Sequence, residues 1–171
     1  MIKFFLILIA THLLTGSFYD FSINDIEGNT IDFSDFKGKK VLIVNTASNS
    51  SQVSQYQSLE QLYQKYKDSL VIIAVPSNSF GNDTATNTAI NSFIQTNYHV
   101  HYLVAGKTLV TGESQSALFT WLTHVEKNGM INNPINGDFF KFLINSSGTL
   151  IGTFAPSVDP MSDEVQTAIA Q

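Results

Sequence analysis

Few side chains in this sequence can do chemistry, and the most suggestive sit in one stretch. It is VLIVNTASNSSQVSQYQSLEQLYQKY, Val41 to Tyr66. An apolar run leads into a polar turn carrying Ser48, Ser50 and Ser51, and an amphipathic segment follows. A buried strand entering a helix through such a turn sets the turn at the helix N-terminus, where free N–H groups and the helix dipole favour an anion. The nucleophile on offer there is serine. No cysteine occurs among the 171 residues, so thiol redox motifs, thiolate zinc sites and cysteine nucleophiles are excluded. A serine hydroxyl stays protonated at neutral pH and attacks only with a base beside it. By residue type the candidate bases are His99, His101 and His124. The first two fall at the end of a predicted helix and the start of a short strand, and the third lies on a helix beside Trp121. Each reads as structural or solvated, because a general base must hydrogen-bond the proton it takes.

Other polar groupings read more plainly. Asp20, Asp25, Glu27 and Asp32 gather in one predicted hairpin, where carboxylates are ordinarily solvated, so no metal is assigned. Asn49, Asn82 and Asn145 each begin an Asn-x-Ser/Thr sequon, which matters only in a glycosylating host. Hydrophobic residues make up 43% of the chain and charged residues 13%, with a net charge of −5. That is enough apolar material for a core and too little charge for a disordered chain. The absence of any Lys/Arg run argues against a nucleic-acid or anionic-membrane partner.

The segment MIKFFLILIATHLLTG has Lys3, an apolar run from Phe4 to Ala10, and small polar residues from Thr15. It reads as a secretory signal peptide over 1–16, cleaved near Gly16, followed by one domain over 17–171. The run is short of the roughly 20 apolar residues a membrane span needs. The expected location is therefore exported, periplasmic or extracellular, with no stable membrane span after cleavage.

The elements that must position the serines follow from periodicity. Ser17 to Ile23 alternates as a short strand, and the Glu27-Gly28-Asn29 turn makes Phe18 to Phe33 a hairpin. Val41 to Asn45 and Leu70 to Pro76 are continuous apolar runs, as in strands buried on both faces. Helices are predicted over Gln52–Tyr66, Thr86–Tyr98 and Gln115–Glu126, and a last one from about Met161 to Ala170. Val100 to Val104 reads as a short strand, and FFKFLINSSGTLIGTFAP as two strands joined at Ser147-Gly148. The result is an α/β, thioredoxin-like layout: a central mixed β-sheet flanked by helices, with an N-terminal β-hairpin.

The same residues carry a resemblance. FYDFSINDIEGNTIDFSDFKGKKVLIVNTAS resembles the opening of the glutathione peroxidase family, through Phe18–Phe21, Asp25–Asn29, Lys37–Lys39 and Val44–Ser48. QYQSLEQLYQKYKD is similar to the family's first helix, and VPSNSFG to its Phe-Pro-Cys-Asn-Gln-Phe-Gly loop. ALFTWL and FFKFLINSSGTLIGTFAP resemble its later helix and closing strand pair. The resemblance spans nearly all of Ser17 to Gln171. It implies an ancestral role in hydroperoxide reduction under oxidative stress, with a selenocysteine or cysteine regenerated by glutathione or thioredoxin.

The positions that the resemblance assigns to that chemistry all differ. Ser50 stands where the peroxidatic residue belongs, Ser79 where a supporting Gln does, and Gly137 and Asp138 where a Trp-Asn pair does. Ser77 takes the place of a second, resolving Cys found in some members. Asp138 is the one titratable group this places near Ser50. A hydroxyl cannot follow the sulfenic or selenenic route, and a dipole effect of about 1 kcal/mol does not change that. The expectation is a peroxidase homologue inactive as a peroxidase, with no cofactor and no use of the family reductants. Ser50 and Ser51 then serve as an N-cap or first-turn pair. The alternatives are a non-redox enzyme using Ser50 and Asp138 in hydrolysis, or a binding module using the former active-site pocket. The short Gly106–Ser114 region favours a monomer or small homo-oligomer. No partner is legible.

Overall fold

The computed structural model describes residues 16–171. The predicted leader, 1–16, lies outside the described residues apart from Gly16.

Strands β1 (Ser22–Asn24) and β2 (Thr30–Asp32) form the expected antiparallel hairpin. Asp25 closes it, accepting from the Glu27 and Asn29 N–H groups and from Asn29 Nδ2 at 2.8–2.9 Å. That carboxylate is thus spent inside the turn. The strand predicted from Ser17 is shorter than expected, because Phe18–Asp20 is a turn of 3-10 helix. Ser17 Oγ accepts from the Tyr19 N–H, and Asp20 Oδ2 accepts from the Ser17 N–H. This reciprocal cap fixes the turn and directs Phe18 fully into the core.

The central sheet contains β3 (Lys40–Thr46), β4 (Leu70–Pro76), β5 (Leu103–Val104), β6 (Lys141–Ile144) and β7 (Leu150–Phe154), in the order β5-β4-β3-β6-β7. β3, β4 and β5 run parallel; β6 is antiparallel to β3 and β7 to β6. The strand expected over Val100–Val104 pairs only at its end. Glu60 captures the His101 N–H, which removes that group from any ladder.

Helices α1 (Gln55–Tyr66), α2 (Asn87–Tyr98), α3 (Ala117–Thr123), α4 (Val125–Asn128) and α5 (Asp163–Ala170) cover the sheet. The helix predicted over Gln115–Glu126 is two. His124 adopts extended backbone, and Asn128 Nδ2 donates to the carbonyls of Trp121 and Leu122 left free by the break.

β3 shows why this sequence makes a two-faced core. Val41 and Ile43 point into a cluster with Phe18, Phe33, Trp121 and Phe142. Leu42 and Val44 point into a second cluster with Tyr56, Leu59 and Leu62 of α1, Ile94 of α2 and Val165 of α5. Each such aliphatic side chain, buried fully, contributes about 1.5–3 kcal/mol. The alternation continues past the apolar run. Asn45 therefore faces the first cluster's side and Thr46 the α1 side, both fully buried. The polar residues that follow are set at the carboxyl end of the parallel strands, where open α/β sheets form their sites.

Candidate functional site

Three segments meet at that end: the β3–α1 turn, the loop after β4, and the approach to β6. In the first, Ser50 is buried, with 7% of its surface exposed. Its hydroxyl accepts from the Gln52 N–H at 3.2 Å and its carbonyl from the Val53 N–H at 3.1 Å. Further i to i+3 bonds, Gln55 to Gln52 and Tyr56 to Val53, wind the chain into α1. The helix accordingly starts at Gln55 rather than Gln52, with Ser54 at its N-cap. Ser50 supports the turn that precedes it, and Ser51 is exposed.

In the second segment, the Ser77 N–H donates to the Thr46 carbonyl at 2.9 Å, extending the β3–β4 ladder. Ser77 Oγ donates to Ser79 Oγ at 3.0 Å, and Ser79 Oγ also accepts from the Val110 N–H at 3.0 Å. The bonds of Ser79 thus run within its own loop and to Val110, not to the Ser50 turn. The residues of this loop that reach the turn come after Gly81. The Asn49 N–H donates to the Asn82 carbonyl at 3.0 Å. Asp83 Oδ2 accepts from the Ser48 N–H and Oγ at 3.0 and 3.3 Å.

The third segment is clamped by Asn45. Asn45 Nδ2 donates to the Gly137 carbonyl, and its Oδ1 accepts from the Phe140 N–H, both at 3.1 Å. Backbone bonds from Asn45 to Phe140 and from Phe139 to Asn45 complete the clamp. Phe139 is held at φ 61°, a conformation that costs a bulky residue on the order of 1–3 kcal/mol. Its ring packs edge-on against Tyr56 at 5.2 Å. The twist sets Asp138 inward, where Oδ2 accepts from Asn82 Nδ2 at 2.6 Å. A Cβ built on Gly137 would lie 3.2 Å from Pro156 Cγ, so Pro156 occupies the space a larger side chain there would need.

The electrostatics of the site follow from burial. Burial pushes the Asp83 carboxyl above its ordinary value, and the Asp138 charge adds to this, against the Ser48 bonds and Lys107. Burial likewise raises the Tyr56 phenol, against a hydrogen bond with Thr46 and with the charges of Asp83 and Asp138 adding to the rise. Lys141, fully buried at the start of β6, donates to the Phe139 carbonyl at 2.7 Å. Its ammonium is pushed down to about 8 by burial.

The histidines lie elsewhere. His99 caps α2, His101 pairs with Glu60 at 2.9 Å, and His124 Nδ1 contacts Thr123 Oγ1 and the Thr120 carbonyl. Among the described residues no group accepts the Ser50 proton, so the hydroxyl is not activated. Cavities of about 410, 490, 300 and 160 Å³ open on the surface, and none of these four is lined by Ser50, Asp83 or Asp138. Sequence reasoning brought Ser50 and Asp138 to one place but passed over Asp83, Asn45, Thr46 and Tyr56. The available signal was their position at or just beyond the ends of two buried strands and in the first turn of α1.

The family profile described as glutathione peroxidase matches residues 18–123. The chain belongs to the glutathione peroxidase family. It is 41% identical over 154 residues to a glutathione peroxidase of Lactococcus lactis subsp. cremoris, covering 88% of this chain and 98% of that one. It is 35% identical over 163 residues to the glutathione peroxidase-like peroxiredoxin 2 of Saccharomyces cerevisiae, covering 92% and 100%. Among solved structures, the apo form of Trgpx superimposes with a TM-score of 0.69 at 35% identity, covering 91% of this chain and 97% of that one. A thioredoxin-family thiol:disulfide interchange protein from Chlorobium tepidum gives 0.62 at 18% identity, covering 87% and 92%. It shares the fold alone. The thioredoxin-like architecture expected from the sequence is thus shown, and with it the glutathione peroxidase membership.

Proposed function

We propose that this member of the glutathione peroxidase family has no thiol peroxidase activity, and that its former peroxidatic site is a sealed cluster of oxygen donors. One observation carries the reading: the chain holds no cysteine, and the Ser50 hydroxyl is engaged by the Gln52 N–H with no base beside it. Peroxide reduction oxidises the attacking atom and needs a thiol or selenol to do so. The packing of Pro156 against Gly137 adds support, since a Cβ at the position where the resemblance places an indole would press on the proline ring at 3.2 Å. A hydrolytic reading through Ser50 and Asp138 gains nothing from the geometry, because the bonded oxygen of Asp138 is held by Asn82.

Peroxidase turnover of the purified chain tests this, on hydrogen peroxide and a lipid hydroperoxide, with glutathione and with thioredoxin as reductant. The expected rate equals the protein-free background; turnover above it refutes the reading. Export belongs to the same proposal and rests on the apolar leader. Mass spectrometry of the mature N-terminus should find the chain starting near Ser17.

A further inference from the structure

The sheet has a notch at the end opposite the Ser50 turn. β4 pairs with β3 along its whole length, but β5 joins it only at Ile73–Leu103 and Ala74–Val104. Leu70, Val71 and Ile72 therefore have no ladder partner on their β5 side. Glu60 is the cause. Its Oε2 accepts from the His101 N–H at 2.8 Å, and its Oε1 lies 2.9 Å from His101 Nδ1. A carboxylate only accepts, so Nδ1 donates and Nε2 is the ring's free nitrogen. Glu60 is buried, while the His101 side chain is 64% exposed. What remains is a cavity of about 300 Å³ bordered by Leu70–Ile72 and by His101–Leu103.

The other residues of this cavity point to its ligand. Lys39, just before β3, and Lys67, just after α1, both line it, together with Phe36 and Tyr63. Most lysines of the described chain are already engaged. Lys40, Lys107 and Lys141 donate to the carbonyls of Ile169, Ala85 and Phe139, and Lys65 to Gln166 Oε1. Lys37 lies over the Tyr19 ring. The single salt bridge among the described residues is His101–Glu60, so neither Lys39 nor Lys67 is ion-paired there. Both are exposed. Two unpaired ammonium groups at one cavity, in a chain of net charge −5, favour an anion. Lysine, a compact charge with three donors, suits phosphate. Tyr63 packs edge-on against Tyr102, with ring centroids 6.3 Å apart, and such rings offer a flat apolar body a surface to pack on. The other cavities lack this combination. Lys107, in the 410 Å³ cavity, is bonded to Ala85, and the 490 and 160 Å³ cavities contain no lysine.

We propose that this notch binds a small phosphate monoester with a flat aromatic body, its phosphate on Lys39 and Lys67 and its ring against Phe36 and Tyr63. His101, held by Glu60, forms a fixed polar wall beside it. Asp35 also lines the cavity and opposes the anion, so its removal must strengthen binding. The site lies at the amino ends of β3 and β4, away from Ser50, and is independent of whether the chain reduces peroxides.

The test is titration of the isotope-labelled chain with 1-naphthyl phosphate, followed by amide NMR shifts, with isothermal titration for affinity. Binding should be submillimolar, and the shifts should centre on residues 35–39, 63–72 and 101–103. Lys39→Met and Lys67→Met change exposed side chains and should fold, as judged by circular dichroism. Each should weaken binding about tenfold, the loss of one charge-assisted bond. Asp35→Asn should tighten it. Lys127→Met, on α4 and outside all four cavities, should leave it unchanged. Inorganic phosphate and 1-naphthol, each carrying one half of the ligand, should both bind more weakly than the ester. No shift at millimolar ester overturns the site, as do shifts centred elsewhere or an affinity that survives both lysine substitutions. Naphthol binding as tightly as the ester refutes the phosphate contact, and inorganic phosphate binding as tightly refutes the aromatic one.

Discussion

The two ends of β3 differ in a way burial alone does not express. Val41–Val44 and Asn45–Ala47 are all buried. The first half presents only hydrocarbon to the two core clusters, and its backbone is paired on both sides. The second half carries an amide, a hydroxyl and the turn that leads to Ser50. Asn45 is bonded through its side chain to the approach to β6, and Thr46 through its carbonyl to the Ser77 N–H. One half is shared scaffold. The other is where the family resemblance places chemistry, and there the residue types have changed.

The sharpest way to break the comparison is in the scaffold half. Ile43→Ala removes a fully buried side chain and should lower unfolding free energy by about 4 kcal/mol, read by urea denaturation. A loss below about 1 kcal/mol would mean the apolar half is loosely packed. Next comes Asn45→Leu, which leaves the Phe140 N–H and the Gly137 carbonyl without their partner. A cost of about 3 kcal/mol is expected, with faster hydrogen exchange confined to residues 137–140.

Lys141 tests the low dielectric of this end. Its buried amine titrates at about 8, against an ordinary value of 10.5. In that window the unfolded chain holds the proton and the folded chain does not, so stability should rise with pH through it; the charging penalty is full below about 8. Between pH 7 and 9.5 the gain should be about 2 kcal/mol, and Lys141→Met should abolish the slope. The range stops there because the raised phenols of Tyr56 and Tyr102 act in the opposite sense above pH 10. The smallest effect is at Ser50. Ser50→Ala should cost only about 1 kcal/mol, the loss of one turn-supporting bond to Gln52, and a larger loss would give the hydroxyl a partner not recognised here.

These contrasts also explain what the sequence disclosed. The strands were legible because Val41–Val44 and Leu70–Val75 are apolar runs of strand length. The hairpin was legible from Glu27-Gly28-Asn29. Helix starts were misplaced where side chains compete for the backbone: Ser17 with Asp20 made a 3-10 turn of a predicted strand, and the Ser50–Ser54 turns delayed α1. The site was half legible. Ser50 and Asp138 stand in recognisable motifs, whereas Asp83 looks like an ordinary polar loop residue until the fold carries it to Ser48. Thr46 and Tyr56 sit within patterns that read as core.

The most direct measurement is peroxidase turnover by the native chain and by Ser50→Cys, compared side by side. The account predicts background rates for the native chain with every hydroperoxide and reductant. For Ser50→Cys it predicts little recovery, because Asp83, Asp138 and the Pro156-covered Gly137 no longer support a thiolate. Turnover by the native chain above a heat-killed control would contradict the central claim outright.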